Sequence, residues 1–261
     1  MANNGNLNQN TETRVPIMET FTLPSNGVLY GSEIPKEITL RAMTTMDEKI
    51  RLSSNGMSSI INLLNSCVVS PENFDAGNLK MFDVQYLLYM LRIVTYGSLY
   101  NVDVYCSHCD KAVRVGVNLD DLAVNQVPDD FVEPFEIGPL PKSGDIITCK
   151  ILTMNENINM EKESKKILAK YKDYVGDPSF VLSYKYIIDK VNGESIPDYK
   201  KQVYVEDMNA MDLRYLDSIY DEMVNNFGLD TVIDTECPTC GIDLHFSMPI
   251  TEEFFRPKFS I

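Results

Sequence analysis

Cationic residues are scarce in this sequence. Lys and Arg number 23 against 38 Asp and Glu in 261 residues, a formal net charge of −15. A chain this acidic repels phosphate backbones unless its cations cluster, which argues against nucleic acid as a partner. No apolar run approaches the roughly 20 residues of a membrane span. The opening residues, MANNGNLNQNTETR, show neither the apolar segment of a signal peptide nor the Arg-rich bias of a transit peptide, so a soluble protein that stays where it is made is expected. Phosphate-binding glycine loops, GxSxG, HExxH and dinucleotide fingerprints are also missing. Asp120-Asp121 and Asp129-Asp130 are paired carboxylates, but they sit in polar connecting segments with nothing nearby to tune an acid and a base. They read as solvated loops. The expectation is a protein that is not an enzyme and has no small-molecule substrate.

Six cysteines are present. A disulfide framework suits small secreted domains, and this chain is neither small nor marked for secretion. Cys67 and Cys149 stand alone in apolar stretches and read as small buried hydrophobes. The other four form two Cys-x-x-Cys pairs, Cys106/Cys109 and Cys237/Cys240, which is metal-ligand spacing.

The chain also repeats itself once. Leu23-Pro24-Ser25-Asn26-Gly27 returns as Leu140-Pro141-Lys142-Ser143-Gly144, and ITLRAMT from Ile38 returns as ITCKILT from Ile147. DVQYL from Asp83 returns as DLRYL from Asp212, and the first cysteine pair returns as the second. The offsets are 117, 109, 129 and 131 residues, in the same order along the chain. Each half reads as a turn, a strand with alternating apolar residues, a helix start, further helices and a short strand into a cysteine pair. Thr44 with Asp47, and Thr153 with Glu156, have N-cap and capping-acid spacing; the first has Asp in place of the strict Glu or Gln. Val84, Leu87, Leu88 and Leu91 form one helical stripe, and Leu213, Leu216, Tyr220 and Met223 form another; both read as core faces. Gly97 and Gly228 are placed to stop these helices. Residues 157–205 carry the second half's extra sequence, with an exposed charged helix first. The stretch SYKYIIDKVNGESI fits either a helix end or a hairpin around Asn192-Gly193.

The expected fold class is therefore α+β: two related strand-plus-helices halves, joined by a four-cysteine zinc ribbon formed from two knuckles. The division is a disordered arm over 1–15, a first half with its knuckle over 16–122, a second over 123–250, and an aromatic tail over 251–261. Each cysteine pair lies between two short strands, as in a ribbon in which two hairpin knuckles pinch Zn2+. Gly241 and Asp110 follow the pairs, where a left-handed backbone is often needed. Four thiolates fill a tetrahedron and leave no open position, so Cys106, Cys109, Cys237 and Cys240 should form a structural site that staples the halves. The alternatives are redox-active or merely buried thiols. His108 lies inside the first knuckle, beside a cysteine pair that already supplies two ligands, and His245 reads as a strand residue near the site. In the tail, Phe254, Phe255, Arg256 and Phe259 fit two readings: a peptide that docks on a partner through aromatic and Arg anchors, or a segment packed on its own domain.

These residues together resemble the baseplate hub subunits of T-even-type contractile-tailed bacteriophages. The resemblance is carried by LPSNGVLY, ITLRAMTTMDEKI, the paired knuckles and the EEFFRP ending, and it runs from about Phe21 to Pro257. It implies a place in the tail baseplate of the virion, after assembly in the host cytoplasm. It also implies contacts with other phage baseplate and tail proteins, and it carries over no catalytic residues. A tail assembly factor absent from the finished particle, a nucleic-acid-binding zinc ribbon and a thiol-redox enzyme are the competing readings.

Overall fold

The computed structural model describes residues 17–53, 56–171, 176–248, 250 and 252–256. The arm expected over 1–15 and Phe259 of the tail lie outside the described residues.

The first half opens with β1 (Met18–Thr22), antiparallel to β2 (Glu37–Arg41), with Phe21 opposite Ile38. Ile38 and Leu40 are buried, as their alternation predicts. Helix α1 (Thr45–Arg51) starts at Thr44. Thr44 Oγ1 accepts from the Asp47 N–H, and Asp47 Oδ2 accepts from the Thr44 N–H at 2.7 Å, so the shorter acid still closes the capping box. Asp47 also takes both guanidinium nitrogens of Arg41, at 2.7 and 2.9 Å. There follow α2 (Met57–Cys67), β3 (Val68–Ser70), a one-turn 3-10 helix at Ala76–Asn78 and α3 (Met81–Tyr96). The four stripe residues of α3 are all buried, and Gly97 caps it at φ 86°. β4 (Leu99–Cys106) and β5 (Lys111–Asn118) form the first knuckle hairpin, and β6 (Val124–Asn125) leads out of it.

The second half runs β7 (Phe135–Ile137), β8 (Ile147–Cys149), α4 (Met154–Lys170), α5 (Pro178–Ile187), β9 (Ile188–Val191), β10 (Glu194–Ser195), α6 (Asp198–Asp207), α7 (Ala210–Val224), β11 (Gly228–Leu229), β12 (Val232–Glu236) and β13 (Asp243–Ser247). Thr153 and Glu156 form the second capping box, and Glu156 pairs with Lys150 as Asp47 pairs with Arg41. The segment with two readings contains both features: α5 ends at Ile187, and Asn192 and Gly193, at φ 51° and 78°, turn the β9–β10 hairpin.

The sheets match in outline. One has the order β1-β2-β3, the other β10-β9-β8-β7. The register shifts between Thr39 and Leu40 in one, and between Thr148 and Cys149 in the other. The second half adds β10 and α6. Asp83 and Asp212, near the starts of α3 and α7, hold the two Leu-Pro turns. Asp83 accepts from the Ser25 N–H at 3.0 Å, and Asp212 accepts from the Lys142 and Ser143 N–H groups at 2.6 and 2.9 Å.

One stop signal is misplaced. α7 ends at Val224 with Asn225 as its cap, four residues before Gly228. Gly228 belongs to β11, which packs on α3 so closely that a Cβ there would lie 2.8 Å from the Cβ of Phe82. Close approach, not capping, requires the glycine.

Packing crosses between the halves. Met154 and Ile158 of α4, Leu244 of β13, Met248 and Phe254 share one core with α2, α3 and β4, while Phe82 of α3 packs into the other core. Lys80 Nζ is buried and donates to Glu133 at 2.9 Å and to the Ile151 carbonyl at 2.7 Å. Tyr89 Oη donates to the Met248 carbonyl at 2.9 Å.

Candidate metal centre

β4 delivers Cys106 at its last position, and the chain turns through Cys109 before β5 begins. Asp110 takes φ 56° in this turn and accepts a hydrogen bond from Tyr105 Oη. The second knuckle is closed by two backbone bonds: Cys237 N–H to the Ile242 carbonyl and Gly241 N–H to the Cys237 carbonyl, each 2.8 Å. Gly241 takes φ 71°. Both positions thus use the left-handed backbone expected of them.

The four sulfur atoms converge although the pairs are 131 residues apart. All lie within 4.8 Å of one another. Cys106 Sγ is 3.7 Å from Cys240 Sγ, and Cys109 Sγ is 3.9 Å from Cys237 Sγ. A disulfide needs about 2.05 Å, so these are not bonded sulfurs. A tetrahedral ion with metal–sulfur bonds of about 2.3 Å sets its ligands about 3.8 Å apart, which these separations match. Cys106 and Cys237 are buried, Cys109 is half-buried and Cys240 is exposed. Burial raises the Cys237 thiol, but the N–H groups of Thr239 and Cys240, together with the Cys240 and Cys106 thiols, outweigh it and bring it down to about 7. Burial and the neighbouring thiols push Cys109 up to about 12. Coordination needs thiolates, and peptide N–H groups aimed at sulfur favour that form. The arrangement can therefore hold a metal ion. Four sulfurs complete its shell and leave no position for a reacting water or substrate.

The remaining candidates are less engaged. His108 is exposed, and the four-sulfur group does not include it. His245 lies in β13, with Nδ1 2.6 Å from Asp234 Oδ1. Cys67 and Cys149 are fully buried, and burial raises their thiols to about 11 and about 12. Asp120, Asp121, Asp129 and Asp130 are exposed. In the tail, Phe254 is 0% exposed and meets Tyr89, Tyr100 and Phe255 edge-on at 4.8, 5.2 and 5.0 Å. Phe255 is buried too, and Arg256 pairs with Glu48. These two rings lie as the packed-tail reading has them. Lys80, Tyr30 and Arg92 escaped the sequence reading. Lys80 donates to the Ile151 carbonyl and Tyr30 Oη accepts from the Lys80 N–H, both far along the chain, while Arg92 donates to the Gly97 and Leu99 carbonyls just beyond its own helix. A single charged or aromatic letter gives no signal of such contacts.

The family described as T4 bacteriophage base plate protein matches residues 16–256, both knuckles included. The chain belongs to that family. No curated protein and no solved structure matches it. A baseplate protein works among other structural proteins of the phage, and no helix among the described residues is long and apolar enough to cross a membrane.

Proposed function

We propose that this baseplate protein is a hub subunit, a permanent structural part of the tail that acts through protein–protein contacts. The family match over nearly the whole chain carries the reading. Among the described residues no constellation of acid, base and nucleophile competes with it, and the exposed Asp pairs have no partner of that kind. The protein is therefore read as non-enzymatic, resident in the virion after assembly in the host cytoplasm.

The ion is zinc, held by Cys106, Cys109, Cys237 and Cys240. An all-cysteine tetrahedron is the donor set zinc favours in structural sites, and the sulfur separations support it. Bound there, zinc supplies a cross-link and no reactive position. The two halves descend from one duplicated unit. Matching element order, matching register shifts and the paired turn-holding aspartates support that history. Each half ends in one knuckle, so the distant cysteine pairs follow from the duplication.

Quantitative mass spectrometry of purified phage particles tests the role. A fixed low copy number per particle is expected. Absence from particles, together with failed tail assembly when the gene is disrupted, would make the chain an assembly factor instead. Salt-dependent binding to DNA or RNA would revive the nucleic-acid reading, against which stand the few cations of the hairpins, Lys111 and Arg114 in the first and none in the second.

A further inference from the structure

The two knuckle hairpins meet at their cysteines but do not pair with each other. β4–β5 and β12–β13 are separate two-stranded sheets, and among the described residues β5 and β12 each have a strand neighbour on one side only. A groove of about 400 Å³ lies between them. Its walls are residues 115–118 of β5 and 232–235 of β12, with Asp121, Leu122, Ala123 and Asp230 completing it.

Four consecutive residues of each strand line this groove. Successive side chains of a strand point to opposite faces. Val115 and Val117 are buried toward the core, and Gly116 and Asn118 are exposed on the other side. A groove reached by both sets is lined by the strand edge, where backbone N–H and C=O groups point. Charge adds a second constraint. Of the twelve lining residues three are Asp and none is Lys, Arg or His. Asp121 and Asp234 are exposed, Asp234 beside His245. Arg114 of β5 is occupied with Asp103 at 2.9 Å.

We propose that this groove takes one extended, basic segment of another baseplate protein. The segment pairs with β5 on one side and β12 on the other, and joins the two hairpins into a five-stranded sheet. Strand addition gives affinity through the backbone and selectivity through alternate side chains. Lysine or arginine at those positions meets the groove's carboxylates. A second copy of this chain is a poor occupant, because its net charge of −15 opposes an acidic groove. That the partner belongs to the baseplate rests on the function proposed above; the preference for an extended basic strand rests on the geometry and charge of the groove.

The test uses the full chain and two short capped peptides, one alternating lysine with threonine and one alternating glutamate with threonine. Amide hydrogen exchange is followed by NMR, and affinity by calorimetry. The lysine peptide is expected to slow exchange in both 115–118 and 232–235, and the glutamate peptide to leave both unchanged. The double variant Asp121→Lys, Asp234→Lys should bind the lysine peptide about tenfold more weakly, a change of about 1.4 kcal/mol, with its melting temperature kept. The pair Asp121→Asn, Asp234→Asn should show a smaller loss, and serves if charge reversal unfolds the hairpins. No protection, protection of one strand only, or equal binding of both peptides overturns the proposal. So does protection that appears without peptide as the chain is concentrated, which would make a second copy the occupant. Each of these failures leaves the baseplate role standing, since that is decided on particles.

Discussion

Asp83 shows what one residue does in this fold. It is fully buried and accepts from the Ser25 N–H and from Tyr30 Oη, the latter at 2.6 Å. Burial pushes its carboxyl up to about 6, against the pull of those two donors. Unfolded, it titrates near 3.9. Between these values the folded chain holds the proton more tightly than the unfolded one. The associated stability is therefore fully present below about pH 4 and is lost as pH rises through about 6, on the order of 3 kcal/mol. Glu48 works the other way: Arg51, with Arg256 beside it, holds it down to about 2. Only a difference between variants isolates Asp83. The stability deficit of Asp83→Asn, from urea unfolding at pH 4, 5 and 6, should shrink as pH rises; a flat deficit contradicts the assignment. Phe254 gives a second prediction. Phe254→Ala should cost about 3–5 kcal/mol, as a buried ring does, and Arg256→Ala no more than about 1 kcal/mol, as an exposed pair does. Denaturant melts that leave Phe254→Ala unchanged would return the tail to a docking role. The cysteines were legible because ligand spacing is local chemistry. The two Asp were legible only as repeated letters, since their partners lie about 60 to 70 residues away.

At the scale of elements, the helix starts were readable and one helix end was not. A capping box needs four adjacent residues, so Thr44–Asp47 and Thr153–Glu156 announce themselves. Gly228 looks like the same kind of signal, but its role comes from Phe82, a neighbour in space that is distant in the sequence. Gly228→Ala would place a Cβ 2.8 Å from Phe82 in a backbone with φ 96°. The expected loss is about 1–3 kcal/mol, read as a lower melting temperature with shifted Phe82 ring resonances. A melt identical to the parent would show that β11 does not approach α3 this closely. The segment around Asn192-Gly193 resisted assignment for a different reason. Helix and hairpin follow each other without a spacer, so each signal was cut short by the other.

At the scale of the molecule, the two halves interleave. Met154 and Ile158 read as ordinary apolar letters of the second half, yet they pack in the first half's core, because no sequence pattern says which core an apolar stripe faces. Lys80, anchored on Glu133 and the Ile151 carbonyl, and Tyr89, anchored on the Met248 carbonyl, strengthen the junction. The cysteine cluster closes it at the hairpins. The proposed zinc ion would staple the halves there, a contribution that in small zinc domains reaches on the order of 10 kcal/mol. The most direct test is native mass spectrometry of the full chain paired with thermal melts before and after a strong chelator. One zinc per chain is predicted, with a clear fall in melting temperature once mass spectrometry shows the metal gone. A chain that carries no zinc, or one that loses it and melts unchanged, would rule out a zinc staple between the halves.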